Sequence, residues 1–283
     1  MVSYGVMVAQ QSLNLLVLVR IQVAQILMMN PDFYKFYLEQ YGDRWETLLK
    51  ALLQEGEFSK LKFSSDLEAY YLDPASVFVA ETLEVKPGQQ VLDMCAAPGG
   101  KSLILAKALQ GNGSLQLNDR SKERLHRLRR VLDNSLPKSL KSIIQITNFD
   151  ASRFGLHRKN FFDRILLDAP CSSEQHVLKS PKHLKEWTKS RSKRLAVEQG
   201  SLLASAVDAL QVKGIVVYST CALSSLENDA VIHKILKKRK GSLRVILDFP
   251  ILEGAERTEY GVHILPDRAK GMGPIYCAKL QKI

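Results

Sequence analysis

The sequence predicts an α/β fold: an open, mostly parallel sheet with helices on both faces. Three observations lead there. Apolar, β-branched segments of strand length alternate along the chain with helical segments, the order expected of a parallel sheet built from strand–helix–strand units. A small-residue loop, Cys95-Ala96-Ala97-Pro98-Gly99-Gly100-Lys101, joins the first such strand to its helix. Asp93, Asp119, Asp150, Asp168, Cys171 and Cys221 fall at or just past the ends of strands, and open sheets bind ligands beyond the carboxyl ends of their strands.

The elements follow in order. Residues 31–56 read as one or two helices, because Phe33, Tyr37, Tyr41, Trp45 and Leu49 recur at helical spacing as core-facing side chains. The chain has mixed character over 57–80, and a helix over Ser76–Val85 ends at the turn Lys86-Pro87-Gly88. Strand Gln90–Cys95 precedes helix Lys101–Leu109, and strand Ser114–Asp119 precedes a helix over Ser121–Leu136 with Ser121 as its N-cap. Strands Ser142–Asn148 and Phe162–Ala169 come next. A long helical region, about Lys182–Leu210, leads to strand Gly214–Thr220, a helix over Glu227–Lys240 and a last strand over Ile275–Ile283. No internal repeat or low-complexity linker interrupts this order. The economical division is a helical segment over 29–70 and a catalytic domain over 71–283. Residues 1–28 are either an extension ahead of a start at Met28 or Met29, or an amphipathic N-terminal helix. Arg20 interrupts their apolar run, and no basic stretch precedes it, which makes a poor secretory signal.

At 283 residues the chain has ample length for a sizeable core. Forty Lys and Arg against 29 Asp and Glu leave a net charge of +11, which suits a polyanionic partner, nucleic acid above all. Cys95, Cys171, Cys221 and Cys277 are widely separated, without a C-x-x-C spacing or clustered histidines. That pattern argues against a disulfide framework and against a structural metal. No uncharged apolar run is long enough to span a membrane.

Two loops carry the chemistry. In the first, small residues let a ligand approach the main chain, and the helix start favours an anionic group. Its spacing is neither G-x-G-x-x-G nor that of a Walker loop. Asp119 lies 26 residues after Asp93, where the end of the second strand commonly supplies the acid for ribose hydroxyls. Asp150, after the third strand, is either the neighbour of the adenine edge or a solvated loop carboxylate. The second loop type occurs twice, as Asp168-Ala169-Pro170-Cys171 and as Ser219-Thr220-Cys221. A lone cysteine past a strand is usually a small hydrophobe; two in such matched settings point to chemistry. Cys277 lacks the setting and is expected in the core, and Cys95 is expected to pack in its loop.

Together, the segments "DMCAAPGGKS", "LND", "DAPCSS" and "YSTCALSSLEND" resemble the Sun (or Fmu) type of RNA cytosine-5 methyltransferase, with the similarity running from about Tyr71 to Cys277. The compact layout is most similar to the ribosomal RNA branch, with the compact transfer-RNA enzymes as the alternative. The resemblance implies a Rossmann-like methyltransferase fold and S-adenosylmethionine as cofactor. It implies that Cys95, Ala96, Ala97, Pro98, Gly99, Gly100 and Lys101 contact the methionine part and the sugar, and that Asp119 holds the ribose. Asp150 would sit beside the adenine and Asp168 near cofactor and base, with Arg124 completing the cofactor-binding set. It implies that Cys221 is the nucleophile and that Cys171 helps release product, with Asp168 serving the ring nitrogen. Three mild departures are Lys213-Gly214-Ile215 where relatives often have two glycines, Ala222 for a serine, and Asp229 for a glutamate.

The implied partner is structured RNA, ribosomal in preference to transfer RNA, acted on by a monomer in the cytoplasm, or in mitochondria for a eukaryotic source. A partner protein that supplies RNA affinity fits the lack of any extra RNA-binding domain. A catalytically silent RNA-binding assembly factor is the reading from a different class. Basic residues gather at Arg120–Arg130, Lys179–Arg194 and Lys234–Lys240, holding six, seven and five Lys and Arg. The middle segment follows Cys171 and contains Trp187, so it is expected to touch RNA, with the aromatic ring stacking a base.

Overall fold

The computed structural model describes residue 24 and residues 26–283; the remaining residues of the expected N-terminal extension lie outside this range. Helices α1 (Pro31–Tyr41) and α2 (Trp45–Leu53) open the chain, followed by a hairpin of β1 (Ser59–Leu61) and β2 (Tyr70–Leu72) and by α3 (Pro74–Thr82). The alternating part then runs β3 (Gln90–Asp93), α4 (Gly100–Leu109), β4 (Ser114–Asn118), α5 (Lys122–Ser135), the short α6 (Lys138–Lys141) and β5 (Ile144–Thr147). Next come α7 (Phe154–His157), β6 (Phe162–Asp168), α8 (Glu174–Leu178), α9 (Pro181–Lys185), α10 (Lys189–Ala209) and β7 (Leu210–Thr220). Helix α11 (Asp229–Lys238) and strands β8 (Leu243–Ile246), β9 (Glu256–Arg257), β10 (Val262–Ile264) and β11 (Ile275–Lys282) complete the order.

The main sheet has nine strands, ordered β5-β4-β3-β6-β7-β11-β10-β9, with β8 beside β11. Its first five strands are parallel. Strand β11 inserts antiparallel to β7 and carries β8, β10 and β9 as an antiparallel edge. Because strand side chains alternate, each central strand feeds two cores. Val91, Leu166, Ile215 and Val217 pack on one face, while Leu92, Ile165, Leu167, Val216 and Tyr218 pack on the other. A third cluster joins Phe33, Tyr37, Trp45 and Leu49 of the N-terminal helices to Leu178, Leu184, Trp187 and Leu223. The helical spacing of the N-terminal aromatics thus marks a buried face.

Local chemistry sets several boundaries. Ser121 caps α5, its hydroxyl accepting the Arg124 amide at 3.2 Å. The helical region expected from Lys182 to Leu210 is broken at Glu186–Thr188. Asn30 Nδ2 donates to the carbonyls of Leu184 (2.8 Å) and Trp187 (3.1 Å). With the indole of Trp187 in the aromatic cluster, this anchoring overrides helix propensity. Strand β7 begins at Leu210 rather than Gly214, and Lys213 sits inside it at φ +67. A glycine would adopt that backbone freely, which accounts for the glycine that relatives often carry there; nothing in the structure explains the lysine of this chain.

His263 on β10 is buried against the Tyr276 ring, with Nε2 lacking a hydrogen-bond partner. Burial lowers its pKa from 6.5 to about 4. The unfolded imidazole therefore takes up a proton as pH falls from 6.5 to 4 while the folded one does not, and stability is lost across that window. We expect the stability difference between the wild type and His263→Gln to shrink as urea denaturation is repeated from pH 7 down to pH 4.

Candidate active site

The loop after β3 is held in place before any ligand is considered. Asp93 at the strand end accepts Ser102 Oγ at 2.7 Å, and the Ala96 amide donates to the Asn118 carbonyl at 2.8 Å. Asn118 Nδ2 donates to the Met94 (3.1 Å) and Phe149 (3.0 Å) carbonyls, tying the ends of three parallel strands together. Arg124 of α5 donates to the Ala97 carbonyl. Gly99 precedes α4 at φ +118, where an added Cβ would stand 2.8 Å from Leu128 Cδ1, and one on Gly100 would meet Tyr70 Cε1 at 2.7 Å. Both positions demand glycine for conformation or close packing. Burial raises the Asp93 carboxyl to about 7 against the opposing Ser102 bond.

Three cavities with shared walls extend along this edge. One of about 520 Å³ is lined by Cys95, Asp119, Arg124, Asp150 and Pro170. A smaller one of about 120 Å³ lies on the loop itself, between Tyr70, Cys95 and Pro98–Lys101, and reaches Asp168. The third, about 400 Å³, is lined by Lys101, Arg124, Asp168, Pro170, Cys171 and Cys221. Asp119 Oδ1 accepts the Ser121 amide at 2.9 Å. Its Oδ2 is buried and lacks a hydrogen-bond partner, with Arg124 Nη1 nearby at 3.2 Å. Asp150 is exposed, and its Oδ1 accepts the Ser152 amide and hydroxyl.

In the third cavity Asp168 ends β6 and is gripped from both sides. Lys101 Nζ contacts Oδ2 and Ser219 Oγ contacts Oδ1, each at 2.7 Å. Strands β6 and β7 are hydrogen-bonded neighbours that place Asp168 opposite Ser219. The loops beyond them therefore bring Cys171 and Cys221 together, their sulfurs 2.8 Å apart. The Cys221 amide donates to Cys171 Sγ at 3.3 Å, and Ser173 Oγ lies 3.1 Å from Cys221 Sγ. The two thiols differ in proton affinity. The hydrogen bond from Cys171 lowers Cys221, while the same bond and burial raise Cys171. Burial also raises Cys95 and Cys277, keeping both as thiols; Cys277 is fully buried, as its sequence setting predicts.

Two buried carboxylates frame the pair. Glu174 accepts Tyr37 Oη at 2.6 Å and the Leu223 amide at 2.9 Å. Glu227 accepts the Ser172 amide at 3.0 Å and Gln199 Nε2 at 2.9 Å. Asn228 takes Thr220 Oγ1 at 2.6 Å and donates to the Ala222 carbonyl at 3.0 Å, closing the turn after Cys221. The sequence pattern placed Tyr37 in the core but gave it no part in the site, and it singled out neither carboxylate nor Ser173 or Gln199. Their partners lie 137 residues away for Tyr37 and 28 for Gln199, beyond the reach of local pattern. Ser173, beside Cys171, carried only its sequence proximity. One expectation is corrected: Trp187 is 3% exposed and packs edge-on to Phe33 at 5.1 Å, so its ring is not free to stack a base. The basic residues around it, Lys179, Lys182, Lys185, Lys189, Lys193 and Arg194, are exposed.

A five-stranded parallel core with a glycine-bearing loop after the central strand is the architecture of the Rossmann-like methyltransferases. Within that class the chain belongs to the RNA cytosine-5 methyltransferases of the Sun/Fmu type, the family model described as 16S rRNA methyltransferase RsmB/F matching residues 80–281. It is 34% identical over 228 residues to the mitochondrial tRNA (cytosine(34)-C(5))-methyltransferase of Danio rerio, covering 77% of this chain and 62% of that protein. It is 35% identical over 221 residues to the ribosomal RNA small subunit methyltransferase F of Aeromonas salmonicida, covering 75% and 45%. The crystal structure of NSun6 from Pyrococcus horikoshii with SFG superposes with a TM-score of 0.64 at 28% identity, covering 78% of this chain and 56% of that one. The chain thus spans less than two thirds of each of these relatives. Among the described residues no helix is long and apolar enough to cross a membrane.

Replacing Glu174 by alanine leaves the Tyr37 hydroxyl and the Leu223 amide without their acceptor inside the protein. We expect a loss of about 2–4 kcal/mol in chemical denaturation, and a smaller loss for Glu174→Gln, which keeps one acceptor oxygen.

Proposed function

We propose that this protein transfers a methyl group from S-adenosylmethionine to carbon 5 of a cytosine in structured RNA, ribosomal RNA in preference to transfer RNA, through a covalent adduct with Cys221. The observation that carries the reading is the thiol pair, held 2.8 Å apart in a cavity whose wall includes Asp168 and Lys101. Family membership supports RNA as the substrate class. Its description names 16S rRNA, and the Aeromonas relative acts on ribosomal RNA, while the Danio relative acts on tRNA.

The cavities along the strand ends suit the cofactor. The buried, hydrogen-bond-free Oδ2 of Asp119 is an acceptor suited to a ribose hydroxyl. The main chain of Cys95–Lys101 presents a glycine-bearing wall, and Asp150 lines the far end. A structural relative crystallised with SFG, an S-adenosylmethionine analogue, supports the same assignment. Bound here, S-adenosylmethionine supplies the methyl group.

The chain's own residues prepare the acceptor. Carbon 5 of cytosine is too weak a nucleophile unaided, and addition of the Cys221 thiolate to carbon 6 converts the ring to an enamine. The depressed proton affinity of Cys221 favours the thiolate. Asp168, oriented by Lys101 and Ser219, hands a carboxylic-acid proton to the ring nitrogen as charge accumulates there and takes it back when Cys221 leaves. After methylation a base at Cys171, its thiolate or a water beside it, removes the carbon 5 proton, and Cys221 leaves with its electron pair. The exposed lysines and arginine of Lys179–Arg194 track phosphates, while the target base leaves its stack to reach Cys221.

Three outcomes are expected. Cys171→Ala accumulates a covalent RNA–protein species on a denaturing gel, whereas Cys221→Ala forms none; an adduct that survives loss of Cys221 reverses the two roles. Asp119→Ala weakens S-adenosylmethionine binding about tenfold or more, seen as loss of the ligand's thermal shift; a wild-type protein with no shift would instead be a silent RNA-binding factor. Bisulfite sequencing of RNA from a deletion strain beside its parent shows one cytosine losing protection, and whether it lies in ribosomal or transfer RNA decides the substrate.

A further inference from the structure

Ser173 occupies the position before α8 where a serine ordinarily caps the helix by accepting an amide near its start. Its hydroxyl makes no such bond. The backbone there is left-handed, with φ +54 and ψ +57, a conformation that non-glycine residues adopt only where their surroundings impose it. The surroundings do so here. Ser172 on one side is fixed through its amide to Glu227, and Glu174 on the other is fixed to Tyr37 and Leu223. The result turns the hydroxyl toward the sulfurs, 3.1 Å from Cys221 Sγ and 3.4 Å from Cys171 Sγ. The hydroxyl also stands 3.4 Å from the Cys171 carbonyl, a longer contact than the one to Cys221 Sγ.

We propose that Ser173 is a catalytic residue, donating its hydroxyl hydrogen to the Cys221 sulfur and so holding it as the thiolate that attacks the base. Geometry favours this donor role. Cys171 Sγ already accepts the Cys221 amide at 3.3 Å, and Cys221 Sγ, with the Cys171 thiol beside it, is the acceptor that receives both neighbouring hydrogens. Two converging donors stabilise a thiolate more than one, because hydrogen bonds to a charged acceptor are the stronger kind. When the sulfur bonds to carbon 6 its charge disappears and the hydroxyl is released. When the sulfur leaves, the hydroxyl is in place to receive it. Ser173 also lines the cavity that holds Lys101, Asp168 and both cysteines, so it stands where the base would enter.

This inference rests on the reading of Cys221 as the nucleophile, and the test separates the two. Iodoacetamide alkylation of Cys221 is followed by peptide mass spectrometry from pH 5 to pH 10 in the wild type, Ser173→Ala and Ser173→Gly, all kept reduced. Both variants lose the hydroxyl, but glycine also relieves the left-handed backbone, so an effect common to both belongs to the hydroxyl. We expect the alkylation midpoint to rise by about one pH unit in each, with up to about tenfold slower alkylation at neutral pH and a parallel fall in methylation rate. A midpoint unchanged in both variants overturns the assignment of Ser173, whatever the wild type does to RNA. A shifted midpoint in a wild-type background that yields neither methylated RNA nor an adduct upholds the contact and overturns the catalytic reading built on it.

Discussion

The active site depends on one buried carboxylate. Glu174 is inaccessible to solvent, and its two oxygens reach different parts of the chain, Tyr37 of α1 and the amide of Leu223. It therefore ties the loop after β6 to the loop after β7, and both to the N-terminal helices. Burial and the neighbouring Glu227 raise its pKa, so desolvation is offset by hydrogen bonds rather than by an opposite charge. The same helix completes the arrangement, with Gln40 Nε2 at 2.7 Å and Tyr41 Oη at 2.8 Å both donating to the Leu223 carbonyl. The helical segment is thereby part of the site's frame, although it contributes no side chain to the cavity that holds the cysteines.

The sheet supplies the rest of the precision. Parallel pairing of β6 and β7 sets Asp168 opposite Ser219 and leaves two short loops of similar reach beyond them. A one-residue slip would turn Asp168 into a core and break its bonds to Lys101 and Ser219. The slip is opposed by the alternation of Ile165, Leu166 and Leu167 between two apolar layers. Hydrophobic register thus fixes the position of the polar groups.

Much of this was legible in the sequence. The parallel strands, the glycine loop, the capped helix at Ser121 and the placement of both cysteines follow from periodicity, turn chemistry and chain order. Other parts were not, for identifiable reasons. Strands β9 and β10 hold two and three residues, too few for any alternation to register. Trp187 sits in a basic, polar stretch that reads as surface, yet Asn30 and the rings of Phe33 and Phe36 draw it inward. Glu174 and Glu227 look like ordinary charged residues in sequence, and only tertiary hydrogen bonds explain their burial. The glycine loop after β3 was readable because its constraint is local; the support of the thiols was not, because its partners are distant.

That distance has a kinetic side. Asn30, Tyr37, Gln40 and Arg44 find their partners 154, 137, 183 and 223 residues further along the chain. Contacts of such long sequence separation form late, since loop-closure entropy opposes them until the intervening chain has collapsed. During synthesis the aromatic face of α1 and α2 emerges ahead of the sheet strands and loops that cover it. By the same reasoning the contacts that frame the paired sulfurs of Cys171 and Cys221 are expected to form after the sheet beneath them.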